Sequence, residues 1–139
     1  MKHFIYILLL MLSFPAIRAQ STDDRICGKW QTADQQGIIQ VYRSGARYYG
    51  SIAGGQGNLR TDRNNPDPAL RTRSLTGLVI LSDFGFSGGN KWTGGKIYDP
   101  SNGKTYSCNL QLKTNGVLEV RGYIGVSLFG RTERWTRIE

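Results

Sequence analysis

Apolar and polar residues alternate with a period of two over several short stretches, and turn-forming residues separate those stretches. The clearest runs from Lys104 to Leu112, where Tyr106, Cys108, Leu110 and Leu112 alternate with Thr105, Ser107, Asn109 and Gln111. Period two places the two sets on opposite faces of a strand, one buried and one wet. Leu118, Val120, Gly122, Ile124 and Val126 predict a second buried face, opposite Glu119, Arg121 and Tyr123. Before the first of these strands stands Asp99-Pro100-Ser101-Asn102-Gly103. Pro presets φ and Asn-Gly accepts positive φ, so Tyr98 to Tyr106 reads as a β-hairpin whose turn is shaped by Asp99.

The remaining strands are predicted over 26–32, over 38–43 with Ile39 and Val41 on one face, and over 47–53 with Tyr48, Gly50 and Ile52 together. From Gly54 to Ala69 the alternation stops in a long loop rich in Gly, Asn, Asp and Pro, a length more often functional than structural filler. Apolar residues resume over 75–81, lapse through the Gly-rich 83–90, and return at Trp92; a last strand is expected over 129–138. No helix of useful length is predicted. The pattern implies an all-β fold of about eight short antiparallel strands with a long loop after the third, closed as a barrel or stacked as a sandwich.

The first 19 residues stand apart. Lys2 and His3 precede an apolar run from Phe4 to Leu12, and Ser13, Pro15, Ala16 and Ala19 end it. That is the arrangement of a secretory signal peptide, with cleavage expected after Ala19 and no Cys behind it for a lipid anchor. The run is too short for a bilayer span, which needs about 20 apolar residues, and no other span follows. The expected mature part is one domain, residues 20–139, in a periplasmic or secreted setting. It keeps 16 basic residues against 10 acidic ones. The densest basic group, Arg60, Arg63, Arg71 and Arg73, has Asp62 and Asp67 among it, which fits a solvated basic surface rather than a nucleic-acid interface.

Two counts narrow the chemistry. The single histidine is His3, so the expected mature part has no imidazole for Ser-His or Cys-His catalysis or for a zinc site. Cys27 and Cys108 are the only cysteines, and in an oxidising compartment either a disulfide between them or two buried free thiols fits.

Gly28-Lys29-Trp30 heads the first strand, and arginines stand late in the last. Gly-x-Trp with such an arginine resembles the lipocalin signature, in which a guanidinium lies across the Trp ring and ties the first strand to the last; here Arg134 or Arg137 would partner Trp30. A closer resemblance covers nearly the whole mature part. It rests on Gly28-x-Trp30, on Asn65-Pro66-Asp67-Pro68-Ala69-Leu70-Arg71-x-Arg73 running into Gly77 to Leu81, and on Trp92-x-Gly94-Gly95-Lys96-Ile97-Tyr98-Asp99-Pro100. Gly103 to Tyr106, Arg121 to Gly125 and Gly130-Arg131-Thr132-x-x-Trp135 complete it. In that order these motifs resemble the bacterial family known as domain of unknown function 2147. The resemblance implies a secreted or periplasmic bacterial protein in which residues 20–139 form a single antiparallel, lipocalin-like up-and-down β-barrel of about eight strands, with no established activity. Cys27 and the Gly-rich 85–90 depart from the family pattern.

Motifs for known chemistry fail when tested. Asp62-x-Asn64 opens like an EF-hand loop, but Asp67 and Arg73 stand where Gly and Glu are required. The Gly55 and Gly94 runs lack the third Gly of a dinucleotide loop and the Ser or Thr of a P-loop, and both read more simply as turns. No metal or cofactor is implied. Asp67, Asp83, Asp99 and Glu119 are the candidates for a carboxylate-based hydrolase, although Asp99 before Pro fits a turn cap better. Tyr98, Tyr106, Tyr123 and Trp135 are candidates to line a ligand cavity, unless inward side chains fill the barrel. Arg71, Arg73, Arg121 and Arg131 would form an anion site if two of them converge. The expected function is non-enzymatic binding of a small amphipathic or anionic ligand, with docking of an envelope protein as the alternative.

Overall fold

The computed structural model describes residues 22–138 apart from 56, 58 and 59, and the expected leader over 1–19 lies outside the described residues. Eight antiparallel strands follow one another in chain order and close into a barrel. They are β1 (Gly28–Gln31), β2 (Gly37–Ser44), β3 (Arg47–Gly55), β4 (Val79–Phe86), β5 (Lys91–Asp99), β6 (Lys104–Leu112), β7 (Leu118–Tyr123) and β8 (Arg131–Arg137). Alternation builds the interior as expected. Ile39 and Val41 on β2, Tyr48 on β3, Cys108 and Leu110 on β6, and Leu118 and Val120 on β7 are all buried in one core.

Four strands depart from their predicted limits, each for a local reason. Ile26 belongs to a 3-10 turn, Thr22–Ile26, that precedes β1. β4 begins later than predicted and runs through the Gly-rich segment, burying Phe84 completely. Asp83 adopts φ 62°, and the resulting bulge moves the inward positions from Leu81 to Phe84, three residues apart, so a period-two reading loses the strand. Gly94 and Gly95 lie within β5, not in a turn, and a second register shift separates buried Trp92 from buried Gly95. A Cβ on Gly95 would come within 2.5 Å of the Phe84 ring, so the core admits only glycine there. β7 stops at Tyr123, leaving Ile124 and Val126 exposed instead of buried.

One end of the barrel is plugged by the 3-10 turn. The Trp30 indole N–H donates to the Ile26 carbonyl at 2.8 Å and that of Trp92 to the Asp23 carbonyl at 3.0 Å. The Tyr48 hydroxyl donates to Asp24 Oδ1 at 2.8 Å, and Arg43 lies 3.3 Å from the same oxygen. Burial first, and then the carboxylates of Asp24 and Asp23, push the Tyr48 phenol well above its ordinary pKa. Trp30, Trp92 and Tyr48 therefore bury their rings while their polar atoms meet groups of the plug.

The closing seam is short. β1 and β8 pair only through Trp30 with Arg137 and Gln31 with Thr136, extended by the Ile138 amide to the Lys29 carbonyl at 2.9 Å. Arg137 reinforces it. Its guanidinium stands 4.3 Å from the centre of the Trp30 ring, Nη1 donates to the Cys27 carbonyl at 2.9 Å, and Nη2 donates to the Arg25 carbonyl. Arg134 points to the outer face and lies 3.6 Å from Glu119 across the β7–β8 ladder. The two arginines thus separate: Arg137 makes the contact with Trp30, and Arg134 makes a surface ion pair.

Cys27 and Cys108 are free thiols, not a disulfide. Cys108 faces the interior in the middle of β6, between Gly95 and Gly122, whereas Cys27 joins the plug to β1. Burial pushes the Cys108 thiol up to about 12 and raises that of Cys27. Alkylation of the denatured protein without reductant is expected to modify both cysteines; recovery of a bridged peptide would contradict the structure. Replacing Arg137 by Met should lower stability by about 2 kcal/mol, the scale of one cation–π contact plus a charged hydrogen bond. Arg134→Met should cost under about 1 kcal/mol as an exposed pair, and equal losses for the two in urea unfolding would remove the seam's special role.

Candidate functional site

The long loop between β3 and β4 is folded, and it wraps a buried carboxylate. Thr61 and Ser74 form an isolated antiparallel bridge, flanked by the Asp62 amide to the Arg73 carbonyl at 3.0 Å and the Leu75 amide to the Arg60 carbonyl at 3.1 Å. Between these legs Asp67 caps a 3-10 turn, Pro68–Leu70, through the Ala69 amide at 3.0 Å. Arg71 ties the turn back, its Nε donating to the Asn65 carbonyl at 2.8 Å. Local Asx chemistry and proline thus fold a segment whose composition alone reads as irregular.

Asp62 is wholly buried and Asn65 nearly so. Asp62 Oδ1 accepts the Tyr98 hydroxyl at 2.5 Å, while Oδ2 accepts Asn65 Nδ2 at 2.8 Å and Arg73 Nε at 2.9 Å. A buried charge is tolerated only when so paired and hydrogen-bonded. Burial would raise the Asp62 pKa, but the bonds from Tyr98, Asn65 and Arg73 outweigh it and hold the carboxyl below its ordinary 3.8. Burial, and then the bond to Asp62, push the Tyr98 phenol up to about 12. A second tether is made by Asn64, whose Nδ2 donates to the Pro100 and Ser101 carbonyls at 3.0 and 3.1 Å. Gly103, at φ +72°, lets the two turns touch, since a Cβ there would sit 1.9 Å from the Asn64 oxygen.

The docked loop leaves a groove of about 300 Å³ against β4, β5 and β6. Val79 and Ile80 give it an apolar wall; Ser82, Thr105, Tyr98 and Asn65 supply hydrogen-bonding groups; Arg73 and Lys96 add positive charge. Ser82 pairs with Lys96 and Tyr98 with Thr105, on the face opposite buried Leu81 and its partner Ile97. The groove is therefore on the outside of the barrel. The interior is filled by Trp30, Trp92, Trp135, Tyr48 and Phe84, all fully buried or nearly so.

The predicted binding residues divide accordingly. Arg73 and Tyr98 meet in the groove, and Arg71 braces the loop behind it. Trp135 does not line an open cavity: it is buried against β7, with its indole nitrogen 3.3 Å from Glu133. Tyr106, beside the groove residue Thr105 in sequence, is half-buried with its hydroxyl accepting from Asn102 Nδ2 at 2.9 Å, and Tyr123 ends β7. Arg121 and Arg131 do not converge. Arg121 reaches Thr132 Oγ1 at 2.8 Å, whereas Arg131 opposes Gly122 on the alternate face and lies 3.8 Å from Glu133. The carboxylate candidates each have a structural partner: Asp67 the Ala69 amide, Asp83 the Tyr49 hydroxyl at 3.0 Å, Asp99 the Ser101 amide at 2.9 Å, and Glu119 Arg134. Asp62, Asn65 and Lys96 were missed. The spacing Asp62-x-x-Asn65-Pro66 is the one signal that marks a built Asx turn there.

Asp62→Ala should release the loop at a cost of about 3 kcal/mol, the scale of breaking a buried pair, with Tyr98→Phe costing about 1 kcal/mol. A carboxyl with a lowered folded pKa stabilises above its unfolded value and loses that effect as pH falls; a phenol with a raised one stabilises below its unfolded value and loses that as pH rises. Amides over 60–75 should hence resist hydrogen exchange between about pH 4 and pH 10 and open on either side. Unchanged protection in Asp62→Ala would show that the carboxylate does not hold the loop.

Among solved structures, a match with TM-score 0.75 and 29% identity covers 81% of this chain and 82% of the other, the protein HP1028 from the human pathogen Helicobacter pylori, described as belonging to the lipocalin family. A search of curated proteins finds no match. Residues 28–137 match the profile of a family described as uncharacterized protein conserved in bacteria, DUF2147. That span runs from the first residue of β1 to the last of β8, and the chain belongs to this family of lipocalin-like barrels.

Proposed function

We propose that this protein is a non-enzymatic periplasmic or secreted barrel that binds a small anionic amphiphile in the groove between the 60–75 loop and β4–β6. The observation that carries this reading is the pairing of an apolar wall, Val79 and Ile80, with the cations Arg73 and Lys96 in one preformed depression. Pockets of this kind take orientation from a few polar groups and affinity from apolar contact. Arg73 is pre-positioned because Asp62 holds its Nε, so little side-chain entropy is lost on binding. The packed barrel interior directs the reading to the outer groove and away from a central cavity. The lack of any histidine beyond His3 supports a binding role over acid-base catalysis, and the apolar leader supports export.

Titration calorimetry with decanoate and with decyl phosphate checks this. The protein is expected to bind at least one of them, and Lys96→Gln to weaken binding roughly tenfold, about 1.4 kcal/mol. Lys113→Gln, at the plugged end, should change nothing. Absence of binding by the unaltered protein, or equal losses at Lys96 and Lys113, would sink the proposal.

A further inference from the structure

The loop joining β7 to β8 presents its apolar side chains to solvent. Ile124 is 70% exposed, Val126 56%, Leu128 79% and Phe129 78%. Scattered exposed apolar residues are ordinary, but four large ones within six positions of one loop are not. Nor is the loop a loose connection. A 3-10 turn carries Leu128 and Phe129, with the Phe129 amide 3.2 Å from the Val126 carbonyl. Arg121 braces the loop from β7 through its bonds to Thr132 Oγ1 and, at 3.4 Å, to the Leu128 carbonyl. The fold therefore holds the apolar tip outward instead of packing it into the barrel.

We propose that this loop is a membrane-surface anchor that inserts Ile124, Val126, Leu128 and Phe129 into the headgroup–acyl boundary of an anionic bilayer. Charge complementarity selects the bilayer as occupant. Arg131 follows the tip directly, with its side chain 86% exposed. The same barrel end carries exposed Arg60, Arg63, Arg71 and Lys104, and residues 20–139 carry 16 basic against 10 acidic residues. Peripheral anchoring of this type combines buried apolar area with attraction to anionic lipid, and neither part suffices alone. An apolar tip at the barrel end that carries these cations supplies both. The anchoring is reversible, because a few side chains bury far less apolar surface than a spanning helix.

Flotation of the chain from Gln20 onward with vesicles of phosphatidylglycerol and phosphatidylcholine in equal parts, against phosphatidylcholine alone, provides the test. The protein is expected to float with the anionic vesicles, several-fold less with the neutral ones, and less as salt shortens the screening length. Phe129→Asp and Leu128→Asp should each reduce the bound fraction about tenfold at unchanged thermal stability, since both side chains lie outside the core. Arg131→Gln should reduce it about fivefold, the effect of one surface charge near anionic lipid. No binding to anionic vesicles, or binding unaltered by both apolar-to-Asp changes, overturns the proposal. A lipid-free dimer or a stable protein complex that Phe129→Asp dissolves would likewise overturn it, assigning the loop to a protein interface.

Discussion

The contact on which the barrel depends is Arg137 against Trp30. An up-and-down barrel has one seam at which the chain's two ends must meet, and here β1 contributes only four residues to it. A seam with two register pairs is weak as a ladder, and an open seam would expose two strand edges to association with other chains. Side chains make up the deficit. The guanidinium covers the indole and donates to two carbonyls of the preceding segment, while the indole N–H beneath it holds Ile26. First strand, last strand and plug are thereby fastened at one point, and the core between Trp30 and Trp135 is sealed at that end.

At the other end the same logic works through a carboxylate. A long polar loop has no hydrophobic reason to lie against a barrel, and the entropy of ordering it must be offset. Burying Asp62 does this because its partners come from both bodies: Asn65 and Arg73 from the loop, Tyr98 from β5. Leu75, buried beside β4, adds an apolar foot. The groove exists because this anchor holds the loop against β4–β6, and its positive charge is presented by a residue the anchor immobilises. The apolar loop at β7–β8 is a separate feature, so ligand capture and membrane docking are independent readings of different residues on this barrel.

Much of the fold was legible because period two is a local property. The return strand at Lys104, the buried faces of β2 and of β7 as far as Val120, and the hairpin turn at Asp99 each follow from residues within a few positions of one another, whereas the Trp30 closure to an arginine of the last strand was legible only through the lipocalin resemblance. What misled lay where alternation is broken by backbone geometry. The bulge at Asp83 hid the second half of β4, and the one after Trp92 made Gly94-Gly95 look like a turn. Gly95 is required by Phe84, a neighbour from another strand, and no local rule reveals that. The site was less legible still. Arg73 and Tyr98 were among the candidates, but Asp62 read as one charge in a mixed cluster, because its burial is a property of the docked loop and not of its neighbours in sequence.

The sequence by itself determined the number of short antiparallel strands and the absence of histidine after residue 3, which depend on short-range pattern and composition, while the order of its motifs carried the resemblance from which the closed barrel and the family were read. Only the tertiary structure decided which arginine covers Trp30, that Cys27 and Cys108 stay apart, that the barrel is filled, and that the groove lies outside it. Those outcomes depend on which side chains meet across strands distant in the chain, and register, bulges and loop docking set those meetings together.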